Sequence, residues 1–208
     1  KECMNTLRKI ILKNFLTYKL WLIVLIFIVI QTSLSQDMDT NMKIKKPDVV
    51  YNDSKEFVSA INKCADWVEK DKSVYQIVPR VILLSQAIIE SNYGTSRFSE
   101  VANNLFGIRT YNLSEPHVKP LNNPTSDFGL KKYKSKCDSV ADYINVLNNS
   151  FAFEDFRELR YKMILLEDID VYALVETLDR YASNPDYVKL LTNKIRSLRN
   201  DERISTSD

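Results

Sequence analysis

The sequence predicts a mainly α-helical domain with a small β-hairpin and loop region beside a cleft, preceded by an N-terminal apolar helix. Three observations predict it. Apolar residues recur at the three- and four-residue spacing of a helix face in several segments between 53 and 199. The window 109–133 instead holds Pro116, Pro120, Pro124 and Gly129 among interspersed Thr, Val, Phe and Tyr, which suits a hairpin and loops. Leu20 to Ile30 carries no polar side chain except the indole of Trp21.

That apolar run has a direction. Arg8, Lys9, Lys13 and Lys19 precede it, and Ser33-Leu34-Ser35 follows with small residues at the spacing of a signal-peptidase site, so 1–35 reads as an export segment. Eleven residues fall short of the roughly 20 needed to cross about 30 Å of hydrocarbon, which favours a cleaved signal. Phe15, Leu16 and Tyr18 lengthen the run in the alternative, a retained anchor with its basic flank in the cytoplasm. Either way the expected location is exported, periplasmic or at the cell surface, and membrane contact belongs to this segment alone. Residues 36–52 are polar, contain Pro47 and read as a linker.

The domain is expected over 53–200, with a polar tail at 201–208. Asp53 can cap a first helix with Glu56 three residues on, and Phe57, Val58, Ile61, Cys64, Ala65 and Val68 then share one face. Pro79 suits the start of a second helix, in which Val81, Ile82, Leu83, Leu84, Ala87, Ile88 and Ile89 leave almost no polar face. Such a helix is buried. Gln86 and Glu90 interrupt it four residues apart, on the same side and one turn from each other. Gly94 marks the helix end, which puts Glu90 in or near the last turn. Apolar neighbours and the partial negative charge of a helix C-terminus both disfavour a carboxylate there, so both raise its proton affinity. A carboxylic acid that keeps its proton near neutral pH is what protonation of a glycosidic leaving group requires. Taken alone, a glutamate at a helix end is more often a solvated surface residue or half of an ion pair. A short helical turn over 97–101, an irregular stretch over 103–108, and helices at about 139–148, 153–160, 170–181 and 186–199 complete the pattern, Asn184-Pro185 separating the last two.

The residues around Glu90 decide between these readings. The chain has only 3 Gly in 208 residues, far below the roughly 7% of average composition, and two of them, Gly94 and Gly107, follow Glu90 within 17 positions. Gln86-Ala87-Ile88-Ile89-Glu90-Ser91-Asn92-Tyr93-Gly94, with Asn104-Leu105-Phe106-Gly107-Ile108 after it, resembles the signature of the glucosaminidases of glycoside hydrolase family 73, and more closely their Bax-like bacterial branch. Tyr133 to Arg160 resembles the helical region after that family's hairpin, and Arg180-Tyr181-Ala182-Ser183-Asn184-Pro185-Asp186-Tyr187 its late Tyr-Ala motif. The likeness covers about 53–198. It implies a lysozyme-like helical domain that hydrolyses the β-1,4 bond on the reducing side of N-acetylglucosamine in peptidoglycan, with Glu90 as general acid and Tyr181 assisting it from the cleft.

Sugar hydrolysis commonly uses a second carboxylate. The resemblance implies one on the hairpin, where Glu115 and Asp127 are the available acids; Glu115 is preferred for its longer side chain and its place near a loop tip, and the other routes are participation of the substrate's own N-acetyl group or a water held by Tyr181. Gln86, Tyr93, Asn104, Phe106 and Tyr111 are the expected substrate-binding residues, although Phe106 reads better as core and Asn104 equally well as loop support. His117 is the only histidine and makes no metal set, so neither metal nor another cofactor is expected. Export permits a bridge between Cys64 and Cys137, two buried thiols being the alternative. A net charge of +2 argues for no nucleic-acid partner, while a mildly basic surface suits an anionic wall polymer; a monomer is expected. Loss of turnover with retention of the cleft, giving a glycan-binding module, and a membrane-tethered helical interaction protein are the competing functions.

Overall fold

A computed structural model describes residues 45–201 together with residues 18, 19, 21–28 and 31. The chain divides into two units, 1–45 and 46–208. In the first, residues 18, 19, 21–28 and 31 are helical with exposed side chains, and the remainder of the expected export signal, Ser33-Leu34-Ser35 included, lies outside the described residues. Among the described residues no helix is long and apolar enough to cross a membrane.

The second unit is mainly helical, as the periodicity predicts. Its elements are α1 (Ser54–Glu69), α2 (Arg80–Ser91), α3 (Arg97–Ala102), three short strands β1 (Arg109–Thr110), β2 (His117–Val118) and β3 (Gly129–Lys131), then α4 (Lys136–Asn149), α5 (Glu154–Leu165), α6 (Val171–Glu176) and α7 (Tyr187–Arg199). Single 3₁₀ turns lie at Val74–Gln76, Phe151–Phe153 and Asp179–Tyr181.

Local chemistry starts each helix. Asp53 caps α1 by accepting from the Glu56 amide at 2.8 Å, while the Glu56 carboxylate reaches back to the amide of Asn52, one residue beyond the box the sequence predicts. Ser135 and Asp138 form a reciprocal capping box at α4, which begins three residues earlier than its apolar spacing indicates. Asp170 caps α6 through two amides. The continuous helix expected over 170–181 stops at Glu176 and resumes as the 3₁₀ turn of Asp179–Tyr181, a break that moves Tyr181 off the α6 axis.

The core forms around α2, whose residues 82–88 are all buried. Phe57, Ile61, Cys64 and Ala65 of α1, Val140, Tyr143, Ile144 and Leu147 of α4, and Leu191, Ile195 and Leu198 of α7 surround it, with Phe156, Leu174, Val175 and Leu178 closing the remaining side. A helix wrapped on all sides needs no polar stripe, which is why its sequence has almost none.

Two expectations are corrected here. The window 109–133 is not a simple hairpin: β3 sits between β1 and β2 and pairs antiparallel with both, Leu130 facing Arg109 on one side and Val118 on the other. The 46–52 part of the expected linker packs onto the domain. Lys46 pairs with Asp138 at 2.8 Å, Val49 and Tyr51 rest on the core, and the Tyr51 hydroxyl donates to the Gly94 carbonyl at 2.9 Å.

Cys64 and Cys137 are joined by a disulfide that ties α1 to α4 across 73 residues of sequence. Closing a loop of that length removes unfolded-state entropy worth about 4 kcal/mol in the chain-entropy treatment. The Cys64→Ser, Cys137→Ser double variant is therefore expected to lose roughly that much stability in urea unfolding monitored by far-UV circular dichroism. An unchanged midpoint and slope would show that the bridge constrains nothing the fold depends on.

Candidate functional site

The site begins with how α2 ends. Asn92, Tyr93 and Gly94 follow the helix with φ of 48°, 55° and 78°, three consecutive left-handed residues. The sequence points to Gly94 as the helix stop, whereas Asn92 is the C-cap and Gly94 closes the left-handed run. Gly94 is required there for space as well as conformation, since a Cβ would lie 1.9 Å from the Tyr51 hydroxyl oxygen. Glu90 is thus the penultimate residue of α2, partly buried.

Three features surround the Glu90 carboxyl. Burial raises its pKa above the ordinary value, a hydrogen bond from the Tyr187 hydroxyl works in the opposite direction, and the charge of Arg109 lowers it further, with the net shift upward. Gly107, at φ 64°, presents its bare backbone to the carboxylate; a Cβ there would stand 3.3 Å from Glu90 Oε2. The two glycines that the sequence spends after Glu90 therefore serve different ends, one closing the left-handed run after the helix and one leaving room beside the acid.

Tyr187 is held in place by a chain of buried hydrogen bonds. The Tyr143 hydroxyl donates to Gln86 Oε1 and Gln86 Nε2 donates to the Tyr187 hydroxyl oxygen at 2.9 Å, while the Tyr187 hydroxyl in turn interacts with the Glu90 carboxyl and favours its charged form. Accepting from Gln86 polarises the Tyr187 hydroxyl and so strengthens its interaction with the carboxylate. Burial and the Glu90 charge push the Tyr187 hydroxyl well above its usual range, which keeps it a donor.

The turn that carries Gly107 is fixed by residues expected to touch substrate. Asn104 accepts from the amides of Ile108 and Phe106 and donates to the carbonyls of Ile108 and Lys131 at 2.9 and 3.0 Å. Its amide is used up in folding the turn and stitching it to β3. Phe106 lies stacked on Tyr143, ring centroids 4.1 Å apart, and its carbonyl accepts from the Tyr181 hydroxyl at 2.9 Å.

The expected substrate contacts of Gln86, Asn104 and Phe106 are accordingly corrected to internal supports. All three side chains are buried and Gln86 and Asn104 have both ends of their amides occupied. Tyr181 is partly exposed, stacked on Tyr187 at 5.6 Å, and its hydroxyl is committed to the turn rather than to Glu90. Tyr93 is partly exposed, packs edge-on against Phe57 and lies under the Lys194 ammonium at 5.9 Å. Tyr111 is 67% exposed near Phe128, so of the expected ligand contacts it has the most free surface. Glu115 lies exposed in the β1–β2 turn, accepting from Thr110 Oγ1 at 3.2 Å and Asn112 Nδ2 at 3.4 Å; Asp127 is exposed in the segment before β3.

Two residues near Glu90 escape sequence reasoning. Tyr187 lies inside the motif around Tyr181 but reads there as one more aromatic of α7. Arg109 opens β1 and stacks its guanidinium over Phe128 at 4.5 Å. A cavity of about 330 Å³ adjoins Tyr187, lined by Asp179, Ser183 and Asn184 among others.

A mainly helical domain with one sheltered carboxylic acid beside a glycine turn is an arrangement suited to glycoside hydrolysis. Residues 65–200 match the glucosaminidase family, described as mannosyl-glycoprotein endo-beta-N-acetylglucosaminidase. This match spans well over half of the chain, and the chain belongs to that family of glycoside hydrolases. Protein bax of Escherichia coli K12 is 27% identical over 108 residues, which is 51% of this chain and 38% of that protein, so the aligned part spans well under half of the relative's length. Among solved structures, the glycoside hydrolase domain of Salmonella typhimurium FlgJ in a C-terminally truncated form is similar with TM-score 0.46 and 22% identity, covering 72% of this chain and 99% of that one. The catalytic domain of the Listeria monocytogenes autolysin Auto is similar with TM-score 0.48 and 23% identity, covering 79% and 93%. Both structural likenesses are distant, and membership rests on the sequence match.

The hydrogen-bond series has a measurable consequence. A bond donated to a carboxylate favours its charged form, so Tyr187→Phe is expected to move the Glu90 titration midpoint upward, and Arg109→Gln to move it the same way. Carboxyl-carbon NMR titration reads both. A midpoint that stays put or falls in Tyr187→Phe would mean that Tyr187 does not donate to Glu90.

Proposed function

We propose that this chain is an exported peptidoglycan hydrolase that cleaves the β-1,4 bond on the reducing side of N-acetylglucosamine. Glu90 is its general acid. The observation that carries the reading is the partly buried Glu90 carboxyl at the end of an apolar helix, its pKa raised by burial and its free side opened by Gly107. An acid in that condition holds a proton for the glycosidic oxygen and releases it as negative charge develops on the leaving group. Tyr187 then stabilises the carboxylate that remains, because its hydrogen bond is stronger to the charged form.

Glu115 is the second carboxylate we assign, on the turn between β1 and β2, with Tyr111 and Tyr93 offering ring faces against which sugars pack. Tyr181 acts through the turn it anchors rather than on the sugar itself. Export rests on the basic flank, the apolar run of Leu20 to Ile30 and the small residues after it, with the disulfide in keeping with an oxidising compartment.

Zymography in gels containing purified cell walls tests the reading directly. Wild type is expected to clear the gel, and Glu90→Gln, which preserves shape but holds no transferable proton, to lose roughly 10²- to 10⁴-fold in rate. Binding to sacculi without clearing by wild type would point to a glycan-binding module; no sacculus binding would remove the glycan reading altogether. Because Glu90 must be protonated to act, kcat is expected to fall as pH rises through a midpoint above the ordinary carboxylate value, and a rate flat from acid to alkaline conditions would exclude it as the acid. Mass spectrometry of digested sacculi identifies the bond: new reducing ends on N-acetylglucosamine are expected, and reducing ends on muramic acid would reassign it.

A further inference from the structure

At the other end of α2 from Glu90 lies a cavity of about 480 Å³, bordered by the Val74–Gln76 turn, the end of α4 and the exposed side of α5. Along the helix axis roughly 15 Å separates Arg80, at the start of α2, from Glu90. Nothing in the hydrolytic site uses this cavity.

Its wall holds two guanidinium groups without a carboxylate partner. Arg160 is 3% exposed; Nη1 donates to the Ile77 carbonyl at 3.3 Å, Nη2 donates to Asn148 Oδ1 at 2.6 Å, and Nε is buried with no hydrogen-bond partner. Arg157 Nη1 donates to the carbonyls of Leu147 and Ser150 at 3.2 and 2.6 Å. Among the described residues neither arginine forms an ion pair. Glu69 acts on Arg160 only at longer range, being itself taken up by Arg80 at 3.2 Å and by the Val78 amide. Burial and the neighbouring Arg157 together push the Arg160 pKa down to about 10, so the group stays charged at neutral pH while its environment opposes that charge. A buried cation whose nearby acid is already engaged by another arginine is costly to keep, and a site that must tolerate it in the free protein gains when an anion arrives.

The lining is also aromatic. Tyr75 and Tyr161 pack with ring centroids 4.9 Å apart, and they remain 37% and 48% exposed. Adjacent exposed rings offer an apolar face of the kind that the C–H side of a sugar covers well. Glu158 at the rim opposes an anion, and Lys162, 3.8 Å from it, offsets that charge. We propose that this cavity binds a carboxylate-bearing saccharide, its carboxylate taken by Arg157 and Arg160 and its ring laid against Tyr75 and Tyr161. The site goes beyond the hydrolytic reading and does not depend on Glu90. A saccharide carboxylate suits it better than a phosphate, whose many acceptor oxygens call for more free donors than this wall supplies.

Isothermal titration of the full chain with N-acetylmuramic acid, which carries a carboxylate, and with N-acetylglucosamine, which lacks one, tests the assignment. N-acetylmuramic acid is expected to bind, N-acetylglucosamine to bind at least about tenfold more weakly, and Arg157→Gln or Tyr161→Ala to weaken the former by about tenfold or more. Arg157 also supports the end of α4, so Tyr161→Ala, a surface change, supplies the second variant, and circular dichroism verifies that both fold. Equal binding of the two sugars, unchanged binding in folded Tyr161→Ala, displacement by equimolar inorganic phosphate, or no binding of N-acetylmuramic acid would each overturn the proposal. Cell-wall clearing without N-acetylmuramic acid binding overturns this site alone; binding without clearing overturns the hydrolytic reading alone.

Discussion

The buried amide of Gln86 is the interaction on which the arrangement around Glu90 depends. It sits in the middle of the most enclosed helix of the domain, accepts from Tyr143 of α4 and donates to Tyr187 of α7, and so joins three helices through two hydrogen bonds. An amide left half-satisfied in that position would cost more than its two bonds contribute, which makes the geometry self-consistent or not formed at all. Because the donated end reaches Tyr187, core packing and the environment of the acid are one network. Phe106, stacked on Tyr143, extends it to the turn of Gly107.

A second support runs through that turn. Asn104 folds it from inside, Tyr181 grips it through the Phe106 carbonyl, and β3 receives it through the Lys131 carbonyl. The short sheet and the last 3₁₀ turn, far apart in sequence, thereby fix one backbone segment against Glu90. Residues around an active group need not touch substrate to matter, and here several of them act by holding others in register.

Much of this was legible beforehand for a physical reason. An unbroken apolar helix has to be buried, and a glutamate at its end has to be partly desolvated, so the character of Glu90 follows from its neighbours in sequence. The capping of α1 at Asp53 follows from local spacing in the same way. What escaped depends on long-range contacts. Gln86 and Glu90 share a face, but only the position of α7, more than 90 residues later, decides that one amide is enclosed while the carboxyl is open. Tyr187 and Arg109 looked like an ordinary aromatic and an ordinary strand cation because their significance lies in what they approach. The pairing of β3 between β1 and β2 is likewise a matter of topology, since strands of two or three residues carry too little periodicity to announce their partners. Tyr51 is hidden in the linker because a polar, Pro-containing stretch has no period, although Lys46, Val49 and Tyr51 together dock it.

The Cys64–Cys137 bridge has a consequence for the chain's integrity. Everything from α2 through the three strands lies inside the covalent ring that it closes, including the long, largely exposed stretch between Tyr111 and Thr125. A protease that severs that stretch produces two pieces that stay tethered, with α2 and its glutamate still attached to the remainder. Such a nicked molecule migrates as a single species until reductant is added, so damage at the loop tip and dissolution of the domain are separate events.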